Sequence, residues 1–210
     1  MIDCGEGSLG QIDMSQRVRL SRLHTICITH LHGDHCYGIW GILHHLRRQN
    51  STQSLTIVGP KGVRELAITM LGDDAIPLNC RFYELDSLEC ETVPYAGDGK
   101  VGHRHEDIEI LAIPIQHRVV QCYGYVFLPK SKGTEMTKRA VVVLQDCCSA
   151  PKVIDVFSER KLSAFVVVHE ATLHEDLKEL AISRGHSTPK MAAGVANSLR
   201  ASYTVLSHFR

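Results

Sequence analysis

Short apolar runs recur along the chain at residues 25–28, 55–58, 109–115, 122–128, 140–144, 164–168 and 203–206, and runs of this length predict strands. Helical spacing falls between some of them. Ile39, Ile42, Leu43 and Leu46 lie at i, i+3, i+4 and i+7, as do Val63, Leu66, Ala67 and Met70. The stretch "STPKMAAGVANSL" predicts a third helix, with Thr188 as its cap and Pro189 at the first helical position. The middle third, 81–144, is rich in strand signals and poor in helical ones. The mixture predicts an α/β (α+β) fold of sheets covered by helices rather than a simple doubly wound sheet. Two polar loops, "YAGDGKVGHRHED" and "PKSKGTEMTKR", interrupt the pattern, and neither reads as a domain linker. A single domain over 1–210 is therefore expected.

The ends break the pattern. Ile2-Asp3-Cys4 reads as the last residues of a strand lacking its start, and the chain stops two residues after His208, so both termini are expected to be incomplete. Composition changes little: 44% hydrophobic and 22% charged residues are those of a globular protein, and no apolar run approaches a membrane span. A formal net charge of +0 excludes the global positive field of a strongly basic nucleic-acid binder. Locally, Arg17, Arg19, Arg22, Arg47 and Arg48 lie between Met14 and Thr52 with Asp34 as the one acid, a pattern that reads first as a solvated basic face. The eight cysteines form no C-x-x-C pair and follow no signal peptide, which favours a reducing compartment and free thiols over disulfides or a thiolate metal site.

The candidate chemistry is concentrated in "ITHLHGDH". His30 and His32, alternate residues at the end of a strand, can converge on one ion, and Asp34 and His35 beyond the turn at Gly33 can reach a second. Imidazoles and carboxylates without thiolates suit zinc best, with manganese or another divalent ion open. Two ions roughly 3.5–4 Å apart can polarise a phosphoryl group and supply hydroxide at neutral pH. Three further ligands follow apolar runs: His117, Asp146 and His208. A carboxylate can bridge, so one consistent set places His30, His32, His117 and Asp146 on one metal and Asp34, His35, Asp146 and His208 on the other. Asp34 can also orient or deprotonate the attacking water. His44 and His45, His103 and His105, and His174 read as surface or supporting positions.

"HLHGDH" with the later His, Asp and His resembles the metallo-β-lactamase superfamily, which implies a four-layer αββα sandwich with metals at the sheet edges. "IDCGEGS", "VGPKGVREL", the His117…Tyr125 stretch, and above all "HEATL" at 169–173 and "GHST" at 185–188 resemble the tRNase Z family over essentially the whole chain. The resemblance implies a zinc-dependent endoribonuclease that removes the 3′ trailer from precursor tRNA, and it implies precursor tRNA and a second copy of the chain, in a homodimer, as partners. Phosphodiester cleavage frees a 3′-oxygen that needs a proton, and Glu170 with His186 suits that task as a hydrogen-bonded acid pair. The resemblance implies the same role. His169 reads as structural. An intracellular setting, cytoplasm or nucleus with the mitochondrion open, follows the same resemblance.

The chain departs from the family pattern at Gln145, where Gly is usual before the aspartate, and at Leu9, where Gln is common. The long tRNA-gripping arm expected between His117 and Asp146 is replaced by "PKSKGTEMTKRA", whose Lys130, Lys132, Lys138 and Arg139 can still touch phosphates. The family's first strands and the residues after its last histidine are also missing. Two other readings stay open: another hydrolase of the superfamily, acting on a small phosphodiester or thioester, and a truncated, non-catalytic remnant or partner subunit.

Overall fold

The computed structural model describes residues 1–15, 17–93, 108–118, 120–130 and 139–209. Most of both polar loops, with His103, His105, Lys132 and Lys138, lies outside the described residues. The described chain divides into two compact units, residues 1–86 and residues 87–93 with those from 108 onward.

The first unit is built as repeated strand–helix–strand crossovers. In order it contains α1 (Ser8–Ser15), β1 (Thr25–Cys27), the one-turn α2 (Gly33–Cys36), α3 (Ile39–Arg48), β2 (Leu55–Pro60), α4 (Val63–Leu71) and β3 (Cys80–Leu85). The strands form a parallel sheet in the order β1-β2-β3. All six residues of the central β2 are buried, as a strand flanked on both edges and covered by helices requires. The apolar stripe Ile39, Ile42, Leu43 and Leu46 packs with Ile26, Ile28, Leu55 and Ile57, so the predicted periodicity of α3 is the one that forms the core. Residues 1–3 run beside β1, with Ile2 bridged in parallel to Cys27.

The second unit carries β4 (Glu91–Thr92), β5 (Ile108–His117), β6 (Val120–Pro129), β7 (Arg139–Leu144), α5 (Pro151–Glu159), β8 (Ser163–Glu170), α6 (Lys178–Ser183), α7 (Pro189–Ser198) and β9 (Tyr203–Ser207). Its sheet runs in the order β4-β5-β6-β7-β8-β9, antiparallel as far as β7 and parallel from β7 to β9. Val142, Leu144 and Val167 pack with Val153 and Phe157 of α5 and Ala196 and Leu199 near α7. Thr188 caps α7 as predicted: its Oγ1 accepts from Met191 N at 3.3 Å, and Pro189 is the first helical residue.

All seven predicted strands are present. One boundary matters for the chemistry: β1 ends at Cys27, so His30 and His32 lie in the loop beyond the strand, and strand alternation is not what brings them together. The mixed α/β architecture of two helix-bearing sheets agrees with the metallo-β-lactamase fold.

Candidate metal centre

In the first unit the histidine motif leaves β1 and turns through α2. His30 Nε2 lies 2.9 Å from His32 Nδ1, and the His30 and His35 ring centroids are 4.2 Å apart. Hydrogen bonding to the other ring nitrogens fixes how these side chains present themselves. Asp3 accepts from Thr29 N at 2.8 Å and from Thr29 Oγ1 at 2.9 Å, and its Oδ2 lies 2.7 Å from His35 Nδ1. With its own proton given to Asp3, the Thr29 hydroxyl accepts from His30 Nδ1 at 3.0 Å. In each imidazole Nδ1 is tied by a hydrogen bond, which leaves Nε2 as the nitrogen that could serve a metal. Asp34 Oδ2 lies 3.6 Å from His35 Nε2, on a side chain 69% exposed.

The glycine-rich loop of residues 3–7 holds this arrangement from behind. Cys4 N donates to His35 O, and Gly38 N donates to Cys4 O, each at 2.7 Å. A Cβ on Gly5 would stand 2.2 Å from Asp34 O, and one on Gly38 would stand 2.0 Å from Gly5 O, so both positions require glycine.

Sequence reading missed Asp3 as the carboxylate that orients His35. Asp3→Asn is expected to weaken metal binding by about 10–100-fold, measured by competition with a chromophoric chelator. Asn suits the test because Asp3 has φ 53, a left-handed conformation that Asn tolerates. A metal affinity equal to wild type would remove Asp3 from the site.

In the second unit the functional side chains gather at one edge of the sheet. Asp146 follows β7 by two residues, Glu170 ends β8, and His208 follows β9, all at the carboxyl ends of adjacent parallel strands. Two antiparallel steps separate β5 from β7, so β5 runs in the same direction and delivers His117 to the same edge. Donor atoms of Asp146, His186 and His208 all lie within 4.8 Å of one another. His208 Nδ1 is 3.3 Å from Asp146 Oδ1, and His117 Nε2 is 3.8 Å from Asp146 Oδ2. The imidazoles of His117 and His208 with the buried carboxylate of Asp146 are nitrogen and oxygen donors that fit a divalent metal ion.

The same principle of a tied Nδ1 recurs. His117 Nδ1 donates to Gly185 O at 2.7 Å, a backbone acceptor with no sequence signature. Gly185 has φ 74, and a Cβ there would lie 2.4 Å from Arg118 N, so glycine is what allows this approach. Thr172 Oγ1 donates to Glu170 Oε2 and accepts from His208 Nδ1 at 2.9 Å. Glu170 is fully buried and accepts four hydrogen bonds: from Thr172 Oγ1, Thr172 N at 3.1 Å, Cys147 N at 2.8 Å and His186 Nδ1 at 2.9 Å. The expected Glu170–His186 hydrogen bond is therefore present, with His186 Nε2 left to exchange a proton.

His169 takes no part in this edge cluster. It is 1% exposed, donates from Nδ1 to Glu170 O at 2.7 Å, and turns Nε2 toward Cys147 Sγ. Burial lowers its pKa from 6.5. A histidine buried neutral stabilises the fold fully above the unfolded pKa and progressively less as pH falls from there toward the lowered folded value. Urea unfolding at about pH 7.5 and about pH 5.5 is expected to show a smaller loss for His169→Asn than for wild type. Equal losses would mean that His169 contributes nothing to the acid sensitivity.

Burial pushes the thiols of Cys4 to about 11 and of Cys27, Cys36 and Cys80 to about 12, which leaves them protonated at neutral pH and unsuited as ligands. Arg17, Arg19, Arg22, Arg47 and Arg48 are all exposed, as a solvated basic face requires. His44 is exposed and His45 half-buried on α3, while His174 caps the turn at Glu175–Leu177. No helix among the described residues is long and apolar enough to cross a membrane.

Comparison with known proteins places these features in a family. The model of the β-lactamase superfamily domain matches residues 1–209. A ribonuclease BN from Proteus mirabilis is 30% identical over 99% of this chain and 77% of its own length. A ribonuclease Z from Listeria monocytogenes is 31% identical over the same shares, 99% and 77%. The crystal structure of the short form of human tRNase Z superposes with a TM-score of 0.77 at 28% identity, over 99% of this chain and 80% of the human one. The chain belongs to the ribonuclease Z (tRNase Z) family of the β-lactamase superfamily.

Proposed function

We propose that this chain is a metal-dependent tRNA endonuclease, a hydrolase that removes the 3′ trailer from precursor tRNA and leaves a 3′-hydroxyl on the tRNA and a 5′-phosphate on the trailer. The observation that carries the reading is the Glu170–His186 hydrogen bond at the same strand edge as His117, Asp146 and His208. A metal-binding edge alone serves many hydrolases. An adjoining imidazole whose Nδ1 is held by a buried carboxylate adds a proton source for a poor leaving group. Family membership supplies RNA as the substrate class.

In this reading the ligand set is His30, His32, His117 and Asp146 for one zinc ion and Asp34, His35, Asp146 and His208 for the second. When bound, the ions supply positive charge to the phosphoryl oxygens and lower the pKa of water. Asp34 orients the attacking water and takes its proton. As the phosphorus–O3′ bond breaks, His186 Nε2 gives its proton to the departing O3′, and Glu170 stabilises the imidazole through Nδ1. Thr172 and Gly185 hold His208 and His117 by their Nδ1 atoms. The reading includes one catalytic domain over 1–210, an intracellular setting and a homodimer, the last tested by sedimentation of the metal-loaded chain.

The deciding experiment is cleavage of a 3′-extended precursor tRNA by the zinc-loaded chain, with a chelator control and mapped product ends. The expected result is a chelator-sensitive cut at the trailer boundary. No cut by a chain that holds two zinc ions would overturn the tRNA assignment.

A further inference from the structure

Beside His117 the second unit opens a cleft of about 380 Å³ that the steps above do not use. Its apolar wall is formed by Leu88, Pro114, Ile115 and Pro151, and its rim by His117 and Arg118. Leu88 is 73% exposed and lines the cleft, so part of this apolar wall faces solvent. We infer that this cleft takes the terminal nucleotide of the tRNA product, the one that keeps the 3′-hydroxyl, with the base against the apolar wall and Arg118 on that nucleotide's 5′-phosphate. The inference rests on the proposed endonuclease.

Three observations lead to it. Arg118 directly follows β5 in the tight hairpin that pairs His117 with Val120, whose geometry sets its φ of 45 and holds its backbone beside the cleft. Its Nε donates to Arg184 O at 2.9 Å, which fixes the guanidinium while leaving its terminal nitrogens for a phosphate. The nine-residue α5 begins at the cleft with Pro151 and Lys152 and no side-chain cap, so its amino-terminal N–H groups add positive potential. Lys152 is bound to Glu89 at 2.9 Å and to Leu88 O, so it shapes the wall, and Arg118 is the cation assigned to the ligand.

The side of the cut follows from the proton. His186 serves the departing O3′, and its ring centroid is 5.0 Å from that of His117, which lines the cleft. The nucleotide bearing O3′ therefore lies on the side of His117 and the cleft. The volume falls within the range of ligand pockets, and flat proline and leucine surfaces accept any base, as an enzyme acting on many tRNAs requires.

Adenosine 5′-monophosphate carries the base, the free 3′-hydroxyl and the 5′-phosphate of that nucleotide, and ribose 5-phosphate lacks only the base. Calorimetric titration of both into the zinc-loaded chain tests the cleft directly. The nucleotide is expected to bind at least about tenfold more tightly than ribose 5-phosphate. Arg118→Gly, which relieves the positive φ and so keeps the fold, is expected to weaken both ligands by about tenfold or more. Leu88→Asp, a change at an exposed position, is expected to weaken the nucleotide and to leave ribose 5-phosphate within about twofold. Equal binding of the two ligands by wild type, or no effect of Arg118→Gly, would overturn the cleft. Failure of precursor tRNA cleavage with these titrations intact would instead overturn the endonuclease and leave a nucleotide site.

Discussion

Asp34→Ala is expected to lower cleavage of precursor tRNA by about 10³-fold or more while RNA binding stays within about threefold of wild type. The two halves of that expectation have separate causes. The Asp34 side chain is 69% exposed on a one-turn helix and belongs to no core cluster, so its removal costs the fold little. α2 itself is held by backbone bonds, His35 O to Cys4 N and Cys4 O to Gly38 N, which alanine leaves intact. What disappears is a carboxylate 3.6 Å from His35 Nε2, assigned both as a ligand and as the acceptor of the water's proton. Groups with both tasks carry several orders of magnitude in rate. Single-turnover cleavage and filter binding on one preparation separate the effects. If binding falls as far as cleavage, with the melting temperature lowered, Asp34 is a folding residue and its assignment fails.

The contrast between Asp34 and Asp3 shows where sequence reading reaches and where it stops. Asp34 stands two and four residues from His32 and His30, and density of ligand types within one loop is visible in the chain. Asp3 is separated from His35 by 32 positions, and only folding of residues 1–3 along β1 brings its carboxylate to the imidazole. Thr172 and the Gly185 carbonyl are hidden for the same reason, since a hydroxyl or a backbone oxygen that ties a histidine leaves no spacing to detect. Metal ligands announce themselves through shared chemistry, and the groups that aim them do not.

The fold divides in a similar way. The strands that form the two sheets' interiors were visible because burial demands continuous apolar residues, as in β2, buried at all six positions. β3 escaped notice because only Leu85 of its six residues is buried, as befits the edge of a three-stranded sheet. α1 escaped because Ile12 alone is buried and no stripe repeats. The expected strand through "TICITH" stops short at Cys27, yet His30 and His32 still meet, because Asp3 and Thr29 pin the loop that carries them. Strand alternation predicts that His30 and His32 converge, and hydrogen bonds in a loop are what bring them together.

Glu170→Gln is expected to slow cleavage by about 10²–10⁴-fold with metal content unchanged. Glu170 is fully buried, and all four of its partners donate to it. An amide supplies one acceptor oxygen in place of two, and its NH₂ must then face either the His186 Nδ1–H and Cys147 N–H donors on the Oε1 side or the two Thr172 donors on the Oε2 side. If it faces His186, the imidazole turns to its other tautomer, Nδ1 accepts, and the charged form required for proton donation loses its carboxylate. If it faces Thr172, the hydroxyl that accepts from His208 Nδ1 loses its own acceptor, and the disturbance passes to a proposed ligand. Unchanged zinc titration, the expected result, identifies the first outcome independently of rate, and weakened zinc binding identifies the second. A third test uses the leaving group. A substrate whose scissile phosphorus bears a good leaving group, such as a p-nitrophenyl ester, needs little proton donation, so the variant's deficit is expected to shrink to within about tenfold there. An equal deficit on both substrates would show that Glu170 holds the architecture of the strand edge and does not govern the proton on His186.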